Sequence, residues 1–292
     1  MIINLLLTLF ILTNLGLLLF DLTAVLLSYA IYWYEYANAN ADATLVKRRF
    51  SGKNIKLVMG LLSTEIFFNF ITIMMIPFGL RNRQKPLTQH HETPILLLNG
   101  LFVNQSCWFW FKWQLKRHGF NNIETLSLSS WHSEEVLTEL LAKRIDELRH
   151  QRGVNQVHLV GHSMGGMIAR NYVQLRGGSD KVDQLICLGS AHHGSKLAPL
   201  SIDQLGKILI PGSDFLNRLN QAPIPAGVRL TNIYTRKDNM VLPNTNHHLS
   251  WGKAIEFDRM GHTALIYRKA IISQVAEILK EKKGEGQEQG QP

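Results

Sequence analysis

Cysteine is scarce, with two in 292 residues, Cys107 and Cys187. That excludes a disulfide framework and leaves room for one bridge at most. Cys107 precedes an aromatic helical stretch and Cys187 lies in an apolar run, so both read as small buried hydrophobes. Histidine is more plentiful, at 12, yet none falls at ligand spacing with carboxylates or cysteines on one helix face. No metal site is expected. A glycine-rich phosphate loop is missing too, so no cofactor is expected. Acidic residues number 22 against 31 Lys and Arg, a formal net charge of +9. A nucleic-acid partner would need aromatic residues interleaved with that charge along a groove, and no such motif accompanies it. The basic residues gather instead in Lys47, Arg48, Arg49, Lys53 and Lys56, then in Arg81, Arg83 and Lys85. These clusters flank an apolar segment, as basic residues do beside membrane spans.

What the chain has in quantity is apolar sequence near its start. Ile2 to Tyr34 is broken mainly by Asn4, Asn14 and Asp21, and Leu57 to Leu80 carries Glu65 and Asn69. A spanning helix needs about 20 apolar residues. The first run is too long for a signal-peptide core and lacks a basic leader and a small-residue cleavage site. Together the runs predict a transmembrane helical hairpin over 1–80, joined by a polar, basic connection around Asn38 to Lys53. An amphipathic second helix on the membrane surface is the weaker alternative. A charge within a span is costly, so Asp21 and Glu65 should face another helix or an interface. The connection carries more Lys and Arg than the segment after the second run. That bias predicts a cytoplasmic connection and a periplasmic C-terminal domain on a bacterial inner membrane.

After a turn-rich linker, 81–93, the period changes. Short apolar runs at Ile95 to Leu98, Ile123 to Leu128, Val154 to Val160, Val182 to Leu188, Val228 to Tyr234 and Ala254 to Phe257 read as strands. Helical stretches separate them: Ser106 to His118, Ser133 to Gln151, Met164 to Arg176 and Ala264 to Glu281. Strands alternating with helices mean an α/β domain over 94–283, with a mostly parallel sheet covered on both faces. Residues 196–225 carry Pro199, Pro211, Pro223 and Pro225 and fit neither pattern. They read as a lid over the carboxyl ends of the strands, or as a surface excursion. The Gly-, Glu- and Gln-rich tail, 284–292, is expected to be disordered.

Gly161-His162-Ser163-Met164-Gly165 follows an apolar strand and opens a helix. That context suits a nucleophile elbow, in which a tight turn lifts the serine above the sheet and the glycines let strand and helix approach. Serine needs a base to accept its proton. Asp238 follows the strand ending at Tyr234, and His262 follows the last short strand, so both could converge on Ser163. Asp203 and Asp214 lie in the 196–225 segment, Asp258 is too near the histidine turn, and His247 and His248 precede the last strand. His162 and His192 border the site as supporting residues. An oxyanion needs backbone donors. Met164 N–H is the first candidate, and Leu101 N–H, in Asn99-Gly100-Leu101-Phe102, the second, ahead of Phe102. Phe102 and His162 are the candidates for substrate contact.

From about Pro94 to Tyr267 the chain resembles bacterial triacylglycerol lipases and esterases of the α/β-hydrolase superfamily. The segments that carry the likeness are Ile95 to Phe102, the elbow, Gly189-Ser190-Ala191-His192-His193-Gly194-Ser195, and the Asp238 and His262 turns. The resemblance implies an α/β-hydrolase fold, a Ser163, Asp238 and His262 triad and hydrolysis of carboxylic, lipidic esters near a membrane. It departs at Asn99, where the family's oxyanion turn usually begins His-Gly, which puts the local support of the hole in question. A thioesterase or acyltransferase could use the same triad. A catalytically silent membrane scaffold is the reading from a different class.

Overall fold

The computed structural model describes residues 2–39, 51–80 and 92–281. The connection 40–50, most of the linker 81–93 and the tail 284–292 lie outside the described residues. The centre is a sheet of six parallel strands in the order β2-β1-β3-β4-β5-β6. The strands are β1 (Ile95–Leu98), β2 (Ile123–Leu126), β3 (Val157–His162), β4 (Val182–Leu188), β5 (Arg229–Thr235) and β6 (Lys253–Phe257). Runs such as Ile95 to Leu98 are buried along their whole length, as parallel strands covered on both faces must be. Alternate side chains feed two cores. Leu96, Leu98 and Leu159 join one, and Ile95, Leu97 and Val160 join the other.

Helices α3 (Phe109–Arg117), α4 (Glu134–Arg152), α5 (Met164–Leu175) and α8 (Lys269–Lys280) complete the layers. Helix α4 starts where the sequence indicates. Ser133 Oγ accepts the Val136 N–H, Glu134 and Glu135 occupy the first turn, and Gly153 ends the helix with φ 63°. That left-handed residue delays β3 to Val157. Register aligns Leu98, Gly161 and Cys187 across β1, β3 and β4, so the loops leaving their carboxyl ends meet on one rim. Both cysteines are free and buried.

The 196–225 segment contains two short helices, α6 (Gln204–Lys207) and α7 (Asp214–Gln221). Their Leu205, Phe215, Leu216 and Leu219 are buried in the larger core. Arg170 of α5, itself buried, donates from Nη2 to Leu219 O at 3.2 Å and to Asn220 Oδ1 at 3.1 Å. Desolvation pushes this guanidinium down to about 10. The proline-rich stretch is therefore pinned from beneath by apolar contacts that its irregular pattern concealed.

The two N-terminal helices are α1 (Ile2–Ala39) and α2 (Gly52–Gly79). Leu5 to Phe20 of α1 project free of the rest of the chain, with Leu6, Leu9, Phe10 and Leu12 exposed. From Asp21 onward the same helix is packed. Val25, Tyr29, Tyr32 and Leu61 form a cluster with Leu242 of the sheet domain. Tyr32 Oη donates to Arg236 O at 3.1 Å, and the Lys237 ammonium lies 4.8–5.9 Å from the rings of Tyr32, Trp33 and Tyr36. Asp21 is buried and faces Asn69 of α2, as its cost in an apolar helix requires. Glu65 departs from expectation. It faces neither the other helix alone nor a boundary, and is buried against residues 261–264 of the sheet domain.

Leu219→Ala tests the anchoring of the 196–225 segment. Truncating this fully buried side chain should cost about 2–5 kcal/mol of unfolding free energy, read by denaturant titration. A loss near zero would mean that the segment rides on the surface.

Candidate active site

Ser163 follows the last residue of β3 and caps α5, with φ 54° and ψ −119°. A serine in this region is strained by roughly 1–3 kcal/mol, held only because the surroundings fix it. Its N–H donates to Leu188 O of β4 at 2.8 Å, and Ser190 Oγ donates to its carbonyl at 2.9 Å. A Cβ on Gly161 would overlap Gly166, and one on Gly165 would overlap Leu98 O and Asn99 O. The glycines of the motif thus permit the strand–helix approach that forms the elbow.

The turn after β1 presses against this serine. A Cβ on Gly100 would stand 3.1 Å from Ser163 Cβ. Asn99 supports the turn from within: its Nδ2 reaches Gly100 O, Val103 O and Leu128 O at 2.7–3.0 Å, and its Oδ1 accepts the Leu128 N–H at 2.8 Å. The asparagine standing where a histidine is usual is therefore a fully bonded brace. Phe102 has φ 58° and donates its N–H to Ser130 Oγ at 2.7 Å, so that donor is already engaged. Leu101, one residue earlier, is half-buried, and Met164 is buried at the first turn of α5.

His262 Nδ1 donates to Asp238 Oδ2 at 2.8 Å, and both side chains are buried. Asp238 is held further by the N–H groups of Met240 and Val241, which donate to its Oδ1 at 2.8 and 2.9 Å. Burial alone would raise the Asp238 pKa. The charge of His262 and its hydrogen bond, with the His247 ring 3.3 Å away, overcome it and hold the carboxyl far below the ordinary range. Burial likewise pulls the His262 imidazole down, but Asp238 outweighs it and the pKa rises above 6.5. The ring borders the end of β4, where a Cβ on Gly189 would meet His262 Nδ1 at 3.2 Å. Ser163 bonds to the neighbouring Leu188, so serine and imidazole converge on the same strand end.

His162 lies under this pair. Its ring centroid is 4.7 Å from that of His262, its Nε2 donates to His262 O at 3.3 Å, and burial first, then His262, pushes it down to about 3. Phe102 is half exposed and meets Trp131 edge to face at 6.4 Å. Trp108 is fully buried in the core. A cavity of about 730 Å³ lined by Phe67, Phe68, Phe109, Met260 and Tyr267 lies on the flank of the histidine turn, and neither Ser163 nor Leu101 lines it. The residue that sequence reasoning passed over is His247. It is fully buried, its Nε2 stands 3.3 Å from Asp238 Oδ2, and its Nδ1 donates to Ser190 O at 3.0 Å. Its ring stacks on that of Tyr234 at 5.2 Å, at the far end of the loop that follows β5. Among the described residues, no group of three or more His, Cys, Asp or Glu could hold a metal ion.

Known proteins resemble this chain in sequence over part of its length and in fold over most of it. Residues 125–209 match the family model of the PGAP1-like alpha/beta domain. The chain is 28% identical over 123 residues to a triacylglycerol lipase of Pseudomonas fragi, an alignment covering 41% of this chain and 40% of that protein. The mature form of Bacillus licheniformis lipase BlEst2 superposes with a TM-score of 0.54 at 19% identity, over 67% of this chain and 94% of that one. Monoacylglycerol lipase of Paleococcus ferrophilus superposes at 0.51 and 16% identity, over 64% and 95%. The chain has the α/β-hydrolase fold and is similar in sequence, over part of its length, to a triacylglycerol lipase.

The Asp238–His262 pair makes a signed prediction. A raised imidazole contributes stability that is complete below pH 6.5 and lost as pH rises through its folded value; the depressed carboxyl contributes above pH 3.8 and loses it only as pH falls through its own. Titration of the His262 imidazole by NMR should give a midpoint above 6.5. In Asp238→Asn, burial is left in command and the midpoint should drop below that value. An unmoved midpoint would mean that the pair does not form in solution.

Proposed function

We propose that this lipase-like α/β-hydrolase is a membrane-anchored serine esterase or lipase that works through Ser163, His262 and Asp238. The observation that carries the reading is the buried Asp238–His262 pair beside a strained serine elbow. With Nδ1 tied to Asp238, Nε2 of His262 is left to accept the Ser163 proton. The serine oxygen attacks the ester carbonyl, and the oxyanion that forms takes hydrogen bonds from the backbone N–H of Met164 and of Leu101. Phe102 N–H is the weaker candidate because Ser130 occupies it. The imidazolium then protonates the departing alkoxide, leaving an acyl-enzyme. A water, deprotonated by the same imidazole, releases the acid. His162 supports the ring from below, and Phe102 with Trp131 offers apolar surface at the rim. The brace at Asn99 weighs against a silent scaffold, because the residue that departs from the family pattern still holds the turn through four hydrogen bonds.

The lipid character of the substrate rests on the N-terminal helices. Residues 4–20 of α1 make about 26 Å of free apolar helix, close to the roughly 30 Å hydrocarbon core of a bilayer. The remainder of α1 and the buried stripe of α2 (Leu61, Glu65, Thr72 and Gly79) lie against the hydrolase domain, a contact a fully inserted hairpin would lose. We therefore favour one span, with α2 at the membrane surface and Met59 and Phe67 facing outward. The expectation of a periplasmic domain assumed two spans. With one, Ala39 and Ser51, which bound the Lys47–Arg49 cluster, fall on the domain's side, and the positive-inside bias favours the cytoplasm for both.

The decisive assay is hydrolysis of p-nitrophenyl esters from short to long acyl. Ser163→Ala should abolish it, by about 10⁴-fold or more, together with fluorophosphonate labelling. If both proteins are folded and equally inactive, the hydrolase reading fails. A green fluorescent protein fused to the C-terminus should glow in intact bacterial cells. A dark fusion, with an alkaline phosphatase fusion active instead, would return the domain to the periplasm.

A further inference from the structure

Glu65 sits in the middle of an apolar helix, fully buried, with no cation among the described residues within ion-pair distance. Such a carboxyl is expelled from helices unless its oxygens are bonded. Here they are. Thr263 N–H donates to Oε1 at 2.6 Å and Ala264 N–H to Oε2 at 3.3 Å. These are the two peptides that follow His262. The peptide before it is constrained as well, since a side chain at Gly261 would overlap Glu65 Oε2 and Tyr29 Oη. Helix α1 reaches the same histidine by a second route: His262 N–H donates to Asn239 Oδ1 at 3.2 Å, and Asn239 Nδ2 donates to Ser28 Oγ at 2.8 Å. Thr263 Oγ1 donates to Asn69 Oδ1 on the next turn of α2. The three successive N–H groups of residues 262–264 are thus all anchored on the N-terminal helices, directly or through one residue.

We propose that Glu65 is a positioning residue for His262, so that the N-terminal helix pair completes the active site as well as anchoring it. The proposal rests on the reading of Ser163, His262 and Asp238 as the catalytic set. The carboxyl fixes the backbone of the histidine while Asp238 fixes its ring, and the imidazole can meet Ser163 only when both are held. Release of the helices would leave buried N–H groups unpaired and the histidine turn free to shift. The charged and titratable groups facing the imidazole are Asp238 from the loop after β5, His162 from β3, Glu65 from α2 and Tyr29 from α1, with His247 behind Asp238. Glu65 acts in the same direction as Asp238, favouring the imidazolium.

The test uses the full chain in nanodiscs, comparing wild type, Ser163→Ala, Glu65→Gln, Glu65→Asp and Thr72→Val. Thr72 makes a buried helix-to-domain hydrogen bond to Tyr267, at 2.7 Å, at the far end of the short helical turn that His262 opens and without touching the 262–264 N–H groups. In Glu65→Gln, kcat should fall about 10- to 100-fold, as a misplaced catalytic group predicts, with KM near wild type and fluorophosphonate labelling slowed in proportion. Burial pushes the Glu65 carboxyl up to about 7 against the Thr263 N–H that favours its ionised form, so the acid limb of kcat/KM should move to lower pH to the extent that this anion, which favours the imidazolium, is lost. Thr72→Val should keep the wild-type limb and rate even if its Tm falls. Should Glu65→Gln fail to fold, Glu65→Asp decides, with kcat reduced and the limb nearer wild type. A folded Glu65 variant with wild-type rate, labelling and pH limb overturns the proposal, as does a loss that merely tracks Tm and recurs in Thr72→Val. If wild type shows no labelling that depends on Ser163, the hydrolase reading falls and takes this one with it. Labelling at Ser163 with indifference at Glu65 overturns the present proposal alone.

Discussion

The ionised carboxylate of Asp238, out of reach of water, sets the terms for the rest of the rim. A buried charge is tolerated only when paired and hydrogen-bonded, and removing one partner of such a pair costs about 3–5 kcal/mol. Asp238 therefore recruits His262, His247 and two backbone N–H groups. Each recruit brings its own dependants. His247 ties the loop before β6 to Ser190 after β4, and Ser190 bonds to the carbonyl of Ser163. His262 brings the turn that the N-terminal helices grip. Strain at Ser163 can be maintained because the strand ends around it are joined in this way to one unmovable charge.

Periodicity made the sheet legible. Ile95 to Leu98 and Val182 to Leu188 stand where the apolar runs end, because a strand buried on both faces has no polar positions to blur its limits. The elbow was legible for a related reason. Gly161 and Gly165 are required by backbone contact, and backbone requirements leave their mark locally. Ser163, Asp238 and His262 could be placed by their order relative to those strands. His247 could not, because a histidine in a polar loop looks the same whether it faces solvent or a carboxylate 9 residues back in the chain. The same holds for Asn99. Its departure from the family pattern is visible in sequence, whereas two of its four hydrogen bonds depend on Leu128 arriving from another loop.

Apolar composition is the least informative signal in this chain, since lipid and protein interior select the same side chains. Residues 4–20 and 24–32 read as one hydrophobic run, yet one part is bare and the other is packed on Leu242 and Arg236. Polar punctuation marks the difference. Asp21 stands where the free part of α1 ends, and Glu65, Asn69 and Thr72 recur at spacings of three and four along one face of α2. A helix immersed in lipid has no use for such a stripe. A helix laid across a soluble domain needs it, because the turn beneath offers peptide groups that must be satisfied.

This division of α2 into a polar inner stripe and an apolar outer face has a mechanical consequence. Whatever moves the helix relative to the domain also moves the acceptors of Thr263 and Ala264 N–H. The sheet itself holds the stretch just before the histidine mainly through Thr235 Oγ1, which donates to Met260 O at 2.8 Å. Ring and backbone of His262 are thus fixed from different parts of the molecule, the ring by the sheet through Asp238 and the backbone by the helices. On the proposed reading, a site divided in that way is complete only when the apolar helices are seated on the domain, and lipid would be the medium that best covers their outer faces.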